Sequence, residues 1–300
     1  SEVQSNARAY FDFRVEEIQQ ATRHRMRGYE QVLRGGVGLF AASEEVTRSE
    51  WREYVKNLRV EKNYPGIQGI GFSVLVPSSE RERHNRKLRA EGLPEYAIWP
   101  EGDRPVYTAI IYLEPLDWRN QRAIGYDMYS EPVRREAMDK AVDNDMTAIS
   151  GKVRLVQETQ KDIQAGFLMY LPFYRKGMPA LTAEERREAL FGFVYSPFRM
   201  NDLMRGIIGR DIPDIDIEIF DGEAVSEDSL MYDGDSSGAE KGAAMFRKSA
   251  RMELNGRTWT IQFSSLPPFE AAVYRGKPVN VFAAGSVISL LSFAIVFFMA

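Results

Sequence analysis

The chain has 300 residues, of which 44% are hydrophobic and 27% are charged, a composition typical of a folded protein rather than a disordered one. Its 39 Lys and Arg against 43 Asp and Glu give a net charge of −4, so there is no basic excess for binding nucleic acid. The absence of Cys excludes disulfides, thiolate metal sites and a cysteine nucleophile, and two His residues argue against a multi-histidine metal centre.

The first 42 residues carry one continuous helical pattern. Apolar positions recur at intervals of three and four, which predicts a single amphipathic helix over residues 2–42: Phe11, Val15, Ile18, Thr22, Met26, Tyr29, Leu33, Val37 and Phe40. Packing against the rest of the domain and dimerisation both account for such a stripe, and the pattern does not choose between them. Thr47 and Glu50 form a capping-box pair that predicts a second helix.

From Tyr64 the pattern becomes mixed α and β. The sequence predicts strands at 67–76, 106–113, 149–155 and 167–174, and helices at 80–90 and 132–144. A polar stretch, 175–187, separates this unit from a second one, with a strand at 190–195, a helix at 201–208, an alternating strand at 215–219 and a hairpin at Asn255-Gly256. The fold class expected is α+β, with two consecutive units.

The C-terminal segment has a different character. No charged residue follows Lys277, and residues 279–300 are almost wholly apolar. As a helix they would span about 33 Å, against a hydrocarbon core of about 30 Å. We therefore expect a transmembrane helix surrounded by lipid at 279–300. Because the chain starts at Ser and stops within the apolar run, we also expect it to be a piece of a longer membrane protein.

Catalytic chemistry is not indicated. Neither a GxSxG nor an HExxH motif occurs, and His24 and His84 fall on charged helix faces where we expect them to be exposed. The sequence therefore predicts no catalytic residue, no metal site and no cofactor.

A binding site is indicated between a buried strand and a capped helix, at residues 112–130. This segment mixes aromatic rings, arginines and the acid Asp127, the ingredients of a cleft for a small molecule. Asp127 would accept hydrogen bonds from a ligand, and Tyr107, Tyr126 and Tyr170 would offer flat faces. The alternatives stay open: core packing for the tyrosines, and a helix cap or an ion pair with Arg119 or Arg122 for Asp127.

Several segments resemble the CHASE domain, the extracellular sensor of bacterial histidine kinases and diguanylate cyclases and of plant cytokinin receptors. They are YPGIQGIG at 64–71, VYTAIIY at 106–112, GYDM at 125–128, SGKV at 150–153 and GFLMYLPFY at 166–174. The resemblance covers residues 60–200 well. It implies a long stalk helix, a membrane-distal PAS-like unit that binds ligand, a membrane-proximal PAS-like unit, flanking membrane spans and a cytoplasmic output.

The resemblance also implies particular site residues. Asp127 matches the aspartate that meets the adenine ring in the plant receptors, Ile149 matches an apolar wall position, and Tyr107 and Tyr170 lie on the corresponding strands. Arg119 and Arg122 have no plant counterpart. They put an adenine-type ligand in doubt and would suit a small anion.

Together these observations predict an inner-membrane receptor with a periplasmic or extracellular sensor. The expected units are a stalk and connecting helix (1–60), a distal PAS-like unit (61–180), a proximal PAS-like unit (181–268), and a linker with the membrane helix (269–300). Ligand binding would be transmitted to a histidine kinase or a diguanylate cyclase, and the stalk would form a homodimer. The alternative is a stalk-mediated dimerisation or partner-binding module without a small-molecule ligand.

Overall fold

The computed structural model describes residues 2–209, 214–234 and 244–272. Helix α1 (Glu2–Ala42) is continuous over the predicted range. Its buried side chains follow the predicted stripe, because residues three and four apart share one face of a helix. Helix α2 (Arg48–Leu58) begins with the predicted capping box of Thr47 and Glu50, and the short α3 (Val60–Asn63) follows it.

The first sheet contains five antiparallel strands in the order β2-β1-β5-β4-β3. Its strands are β1 (Ile70–Pro77), β2 (Val106–Glu114), β3 (Ala148–Ile149), β4 (Gly166–Tyr174) and β5 (Leu190–Arg199). Three helices of this region are α4 (Arg81–Ala90), α5 (Pro132–Asp143) and α6 (Ala183–Ala189). The strand expected at 149–155 is shorter than predicted, since only Ala148–Ile149 pairs as a strand and Val153 makes an isolated bridge to Gly166.

The second sheet contains four antiparallel strands in the order β7-β6-β9-β8. Helix α7 (Met200–Ile208) precedes the strands β6 (Ile215–Asp221), β7 (Leu230–Asp233), β8 (Arg247–Leu254) and β9 (Arg257–Ser265). Asn255 and Gly256 both have positive φ angles, 45° and 77°, as the tight hairpin turn requires. Trp259, Ile261 and Phe263 are buried, as their alternation predicts.

Helix α1 provides one wall of the core for both sheets. Near its N-terminus, the Phe11 ring lies 5.7 Å from that of Phe246, beside the second sheet. Further along, Tyr29 packs 4.9 Å from Phe198 on β5, and Phe40 stacks 4.1 Å from Phe72 on β1. The fold is therefore α+β, with a long N-terminal helix and two antiparallel sheets, as predicted at that level of detail.

One strand lies in a different sheet from the one expected. The sequence assigned the strand beginning at Leu190 to the second unit, with a boundary at residue 181. Instead, β5 is the central strand of the first sheet, paired with β1 and β4. Its side chains are buried almost throughout because both of its edges and both of its faces are covered. On this topology the change from the first sheet to the second falls after Arg199.

The predicted membrane helix at 279–300 lies outside the described residues. Within the described ranges, no helix is both long enough and apolar enough to cross a bilayer.

His84 differs from its prediction. It lies on α4 and is half-buried, and its Nε2 lies 2.9 Å from the hydroxyl of Tyr96. Burial lowers the pKa of His84 from 6.5 to about 4, because a low-dielectric environment disfavours the charged imidazolium. His24 on α1 is exposed, as predicted.

The burial of His84 predicts a pH dependence of stability. Between pH 6.5 and about 4 the unfolded chain takes up a proton at His84 that the folded chain does not, so the free energy of unfolding decreases as the pH falls through this window. In His84→Gln we expect a smaller decrease, measured by urea unfolding at a series of pH values. The matched control, His24→Gln, should follow the wild-type profile; an equal decrease in His84→Gln would contradict the assignment.

Candidate functional site

The candidate site lies on the face of the first sheet that α1 does not cover. Side chains alternate across a strand, so Leu168 and Tyr170 on β4 and Phe193 and Tyr195 on β5 point away from α1. Helix α5 and the segment around Met128 cover this face. We call Tyr126, Met128, Arg134, Tyr170 and Tyr195 the polar-aromatic cluster.

Arg134 is the charged member of this cluster and is only 4% exposed. It occupies the apolar stripe of α5, in register with Ala137, Met138 and Ala141. Its Nη1 donates to the hydroxyl of Tyr126 at 3.1 Å and its Nη2 donates to the carbonyl of Arg154 at 3.0 Å.

The charge of Arg134 is only loosely compensated. Among the described residues the nearest carboxylate is that of Glu131, whose Oε2 lies 3.6 Å from Nη1. Glu131 also caps α5 by accepting from two backbone N–H groups. A buried cation is costly unless it is closely paired. This guanidinium is therefore suited to receive an anionic group.

The buried hydroxyls beside Arg134 have few partners. The hydroxyl of Tyr170 lies 3.5 Å from the sulfur of Met128, a weak acceptor. Within the described part of the chain, the Tyr195 hydroxyl and the Ser73 hydroxyl have no hydrogen-bond partner. Burial raises the pKa of both tyrosines, so both hydroxyls stay protonated at neutral pH. An unsatisfied buried hydroxyl costs about 1–3 kcal/mol, so each of these hydroxyls would be stabilised by a hydrogen-bond partner.

Asp127 is fully buried, and its carboxylate has a structural role as a hydrogen-bond acceptor. Its Oδ1 accepts from the backbone N–H of Thr108 at 2.7 Å and of Tyr129 at 3.1 Å, and its Oδ2 accepts from Nε of Arg104 at 2.7 Å. The predicted cap is therefore present at Met128–Ser130. The ion pair is made with Arg104 rather than with Arg119 or Arg122. Asp127 as a ligand contact stays a prediction, and a ligand there would have to displace Arg104.

Tyr107 belongs to the surroundings of Arg104. Its hydroxyl donates to the carbonyl of Gly102 at 3.0 Å, and its ring lies 5.1 Å from the Arg104 guanidinium. It packs in a separate apolar cluster with Leu88 of α4 and Tyr96. The alternative of core packing with a satisfied hydroxyl thus describes Tyr107 in this structure.

The remaining two site residues lie apart from the cluster. Ile149 is buried in the core shared with α1, and its N–H donates to the carbonyl of Asn255 at 3.1 Å. Arg119 is half-buried and stacks 5.2 Å from the ring of exposed Trp118. The structure thus brings Tyr126 and Tyr170 together near Arg134, and Asp127 is adjacent to Tyr126 in the sequence. Ile149 and Arg119 lie outside this cluster.

Arg134, Arg104 and Tyr195 were missed by sequence reasoning. Arg134 carried a usable signal, because it is a charge within the apolar stripe of a helix. Arg104 precedes Pro105 in a polar loop, and its sequence context carries no comparable signal.

A second set of contacts joins this region to the second sheet. Asp221 at the end of β6 accepts from Nε and Nη2 of Arg257 at 2.5 and 2.8 Å and from the N–H of Lys152 at 2.8 Å. Gly151 leaves room for this pair, since a Cβ there would lie 2.5 Å from Nη2 of Arg257. We call Gly151, Lys152, Asp221 and Arg257 the inter-sheet junction.

Over residues 2–209, 214–234 and 244–272, no group of three or more His, Cys, Asp or Glu side chains is placed to hold a metal ion.

The model of the CHASE domain family matches residues 44–232, so the chain belongs to the CHASE domain family. CHASE domains are non-catalytic, extracellular sensor domains of membrane receptors.

Among solved structures, the chain is similar to the ligand-binding domain of the Pseudomonas aeruginosa PAO1 amino acid chemoreceptor PctC in complex with GABA. The identity is 10% and the TM-score 0.46, with 86% of this chain and 100% of that chain covered. No curated protein matches the chain.

The contacts of Asp127 predict a structural effect of its removal. Asp127→Ala leaves two backbone N–H groups and Arg104 without their acceptor, so we expect the free energy of unfolding to fall by about 3 kcal/mol, measured by urea unfolding. The neighbouring exposed acid gives the control: Asp103→Ala should change it by less than about 0.5 kcal/mol. Equal effects of the two substitutions would show that Asp127 has no such role.

Proposed function

We propose that this chain is the ligand-binding sensor module of a membrane receptor and that its small-molecule ligand binds at the polar-aromatic cluster. The observation that carries the proposal is Arg134, a buried guanidinium whose hydrogen bonds go to neutral oxygens and whose nearest carboxylate is 3.6 Å away. Membership of a sensor family supports the same conclusion.

The cluster favours a ligand with a flat body and an anionic group. The rings of Tyr126, Tyr170 and Tyr195 are buried beside Arg134, and the hydroxyl of Tyr195, which has no partner among the described residues, offers a donor. Arg134 would pair with a carboxylate or a phosphate. This chemistry favours the small anion over a neutral adenine-type ligand.

Transmission would use two of the connections between the sheets. A ligand that moves α5 acts on α1 through the first sheet, and on the second sheet through the inter-sheet junction. In this proposal the first sheet with its helices is the membrane-distal PAS-like unit and the second sheet the proximal one. Residues 279–300 form a membrane span in the inner membrane, the sensor is periplasmic or extracellular, and the output is a histidine kinase or a diguanylate cyclase.

A homodimer through α1 is part of the proposal. Tyr10 and Phe13, one turn apart on α1, are 51% and 62% exposed, and neighbouring exposed rings on a long helix support association with a second copy. In this proposal α1 both packs against the rest of the domain and forms the dimer, the two roles that its apolar pattern left open.

The ligand site is tested with Arg134→Met, which removes the charge but nearly keeps the volume. A panel of small carboxylates, phosphates and heterocycles is screened for a rise in the melting temperature of the chain, and the binding of each hit is measured by calorimetry. Loss of a charge-assisted contact worth about 2–3 kcal/mol should raise Kd about 30- to 150-fold. Stability should change little, because Met replaces a poorly compensated buried charge.

The adjacent exposed arginine is the matched control. Arg135→Met should change Kd less than twofold, since its side chain points to solvent. A panel without hits, or hits that bind Arg134→Met as tightly as the wild type, would overturn the proposed site.

A further inference from the structure

A cavity of 620 Å³ lies on the opposite side of the first sheet from the polar-aromatic cluster. Helix α1 ends at Ala42 and α4 covers the far end of the sheet, so a stretch of sheet surface between Phe40 and Leu88 has no helix over it. The volume is within the range of small-molecule sites, about 300–1,000 Å³. We call this space the helix-gap cavity.

The floor of the helix-gap cavity is apolar and largely aromatic. It is formed by side chains of four strands: Phe72, Val74, Ile111, Tyr112, Phe173 and Phe191. All of these except Phe72 are only partly buried, although the same faces of these strands are covered where α1 crosses them. Partly exposed apolar rings within a concavity are typical of a surface that binds an apolar molecule.

The charged groups around the cavity balance one another. Four carboxylates line it, namely Glu44, Glu45, Glu80 and Glu91, and so do four cations, namely Arg83, Lys87, Arg175 and Lys176. His84 also lines the cavity, and its pKa, lowered to about 4 by burial, keeps it uncharged at neutral pH. The wall therefore has no net charge with which to select an anion or a cation.

Three of the four cations are already engaged. Lys87 lies 3.7 Å from Glu45 and 3.6 Å from Glu91. Lys176 donates to the carbonyl of Ser43, and Arg175 donates to the carbonyl of Leu190 at 2.7 Å. An anionic ligand would have to compete with these contacts.

From the aromatic floor and the balanced wall we infer that the helix-gap cavity is a second ligand site, which binds an uncharged, ring-containing apolar molecule. The site is independent of the proposed anion site, because it lies on the other face of the sheet and uses none of its residues. A molecule bound here would contact both the end of α1, at Phe40, and α4.

The test uses N-phenyl-1-naphthylamine, an uncharged aromatic dye whose fluorescence rises in apolar surroundings, titrated into the chain. We expect saturable binding of one dye per chain. Val74→Phe and Phe191→Trp each enlarge a partly exposed side chain into the cavity and should raise the Kd of the dye at least tenfold. Leu181→Phe enlarges an apolar side chain that is 89% exposed outside the cavity and should leave the Kd within twofold of wild type.

The sulfonated analogue 8-anilinonaphthalene-1-sulfonate tests the preference for an uncharged molecule and should bind at least tenfold more weakly. Equal or tighter binding of the sulfonate would overturn the assignment of an uncharged ligand. Absence of saturable dye binding, or wild-type Kd values in both enlarged variants, would overturn the site itself. Circular dichroism of each variant establishes that the fold is retained, and none of these results depends on Arg134.

Discussion

The buried stripe of α1 is the constraint on which the rest of the structure depends. One helix supplies Phe11 to the second sheet and Tyr29 and Phe40 to the first. The apolar side chains of both sheets therefore share one core cluster along α1. Because interiors are closely packed and transmit strain, a displacement of α1 relative to one sheet alters its packing against the other.

The buried charges of Asp127 and Arg134 differ in how closely they are paired with other charged groups. Asp127 is held by Arg104 and two backbone N–H groups at short distances, so its charge stabilises the connection between β2 and α5. Arg134 has neutral partners at 3.0 and 3.1 Å, and the Glu131 carboxylate lies 3.6 Å away. The two residues are only seven positions apart in the sequence, and in the proposed function it is Arg134, not Asp127, that pairs with an anionic ligand.

Local patterns predicted the elements, and long-range pairing decided their arrangement. The stripe of α1, the Thr47 capping box and the Asn255-Gly256 turn were predictable because each depends on residues within a few positions. The placement of β5 between β1 and β4 was not predictable, because the sequence of an apolar strand does not specify which strands it pairs with. Likewise, the partner of Asp127 proved to be Arg104, 23 residues away, rather than the arginines closest in sequence.

We expect the two sheets to unfold as one cooperative unit around α1, and two buried tryptophans, one beside each sheet, report on this unfolding. Trp51 packs against Phe40 beside the first sheet, and Trp259 lies in the second sheet against Phe167. Two variants, each with a single tryptophan, are unfolded in urea. One keeps Trp51 and the other keeps Trp259, and the other three tryptophans, including the exposed Trp99 and Trp118, are replaced by Phe. In each variant, the unfolding curve measured by tryptophan fluorescence should coincide with the curve measured by circular dichroism. The contradictory result is a Trp259 transition at lower urea than the Trp51 transition, with each fluorescence curve displaced from the circular dichroism curve of the same variant. It would show that the two sheets unfold independently.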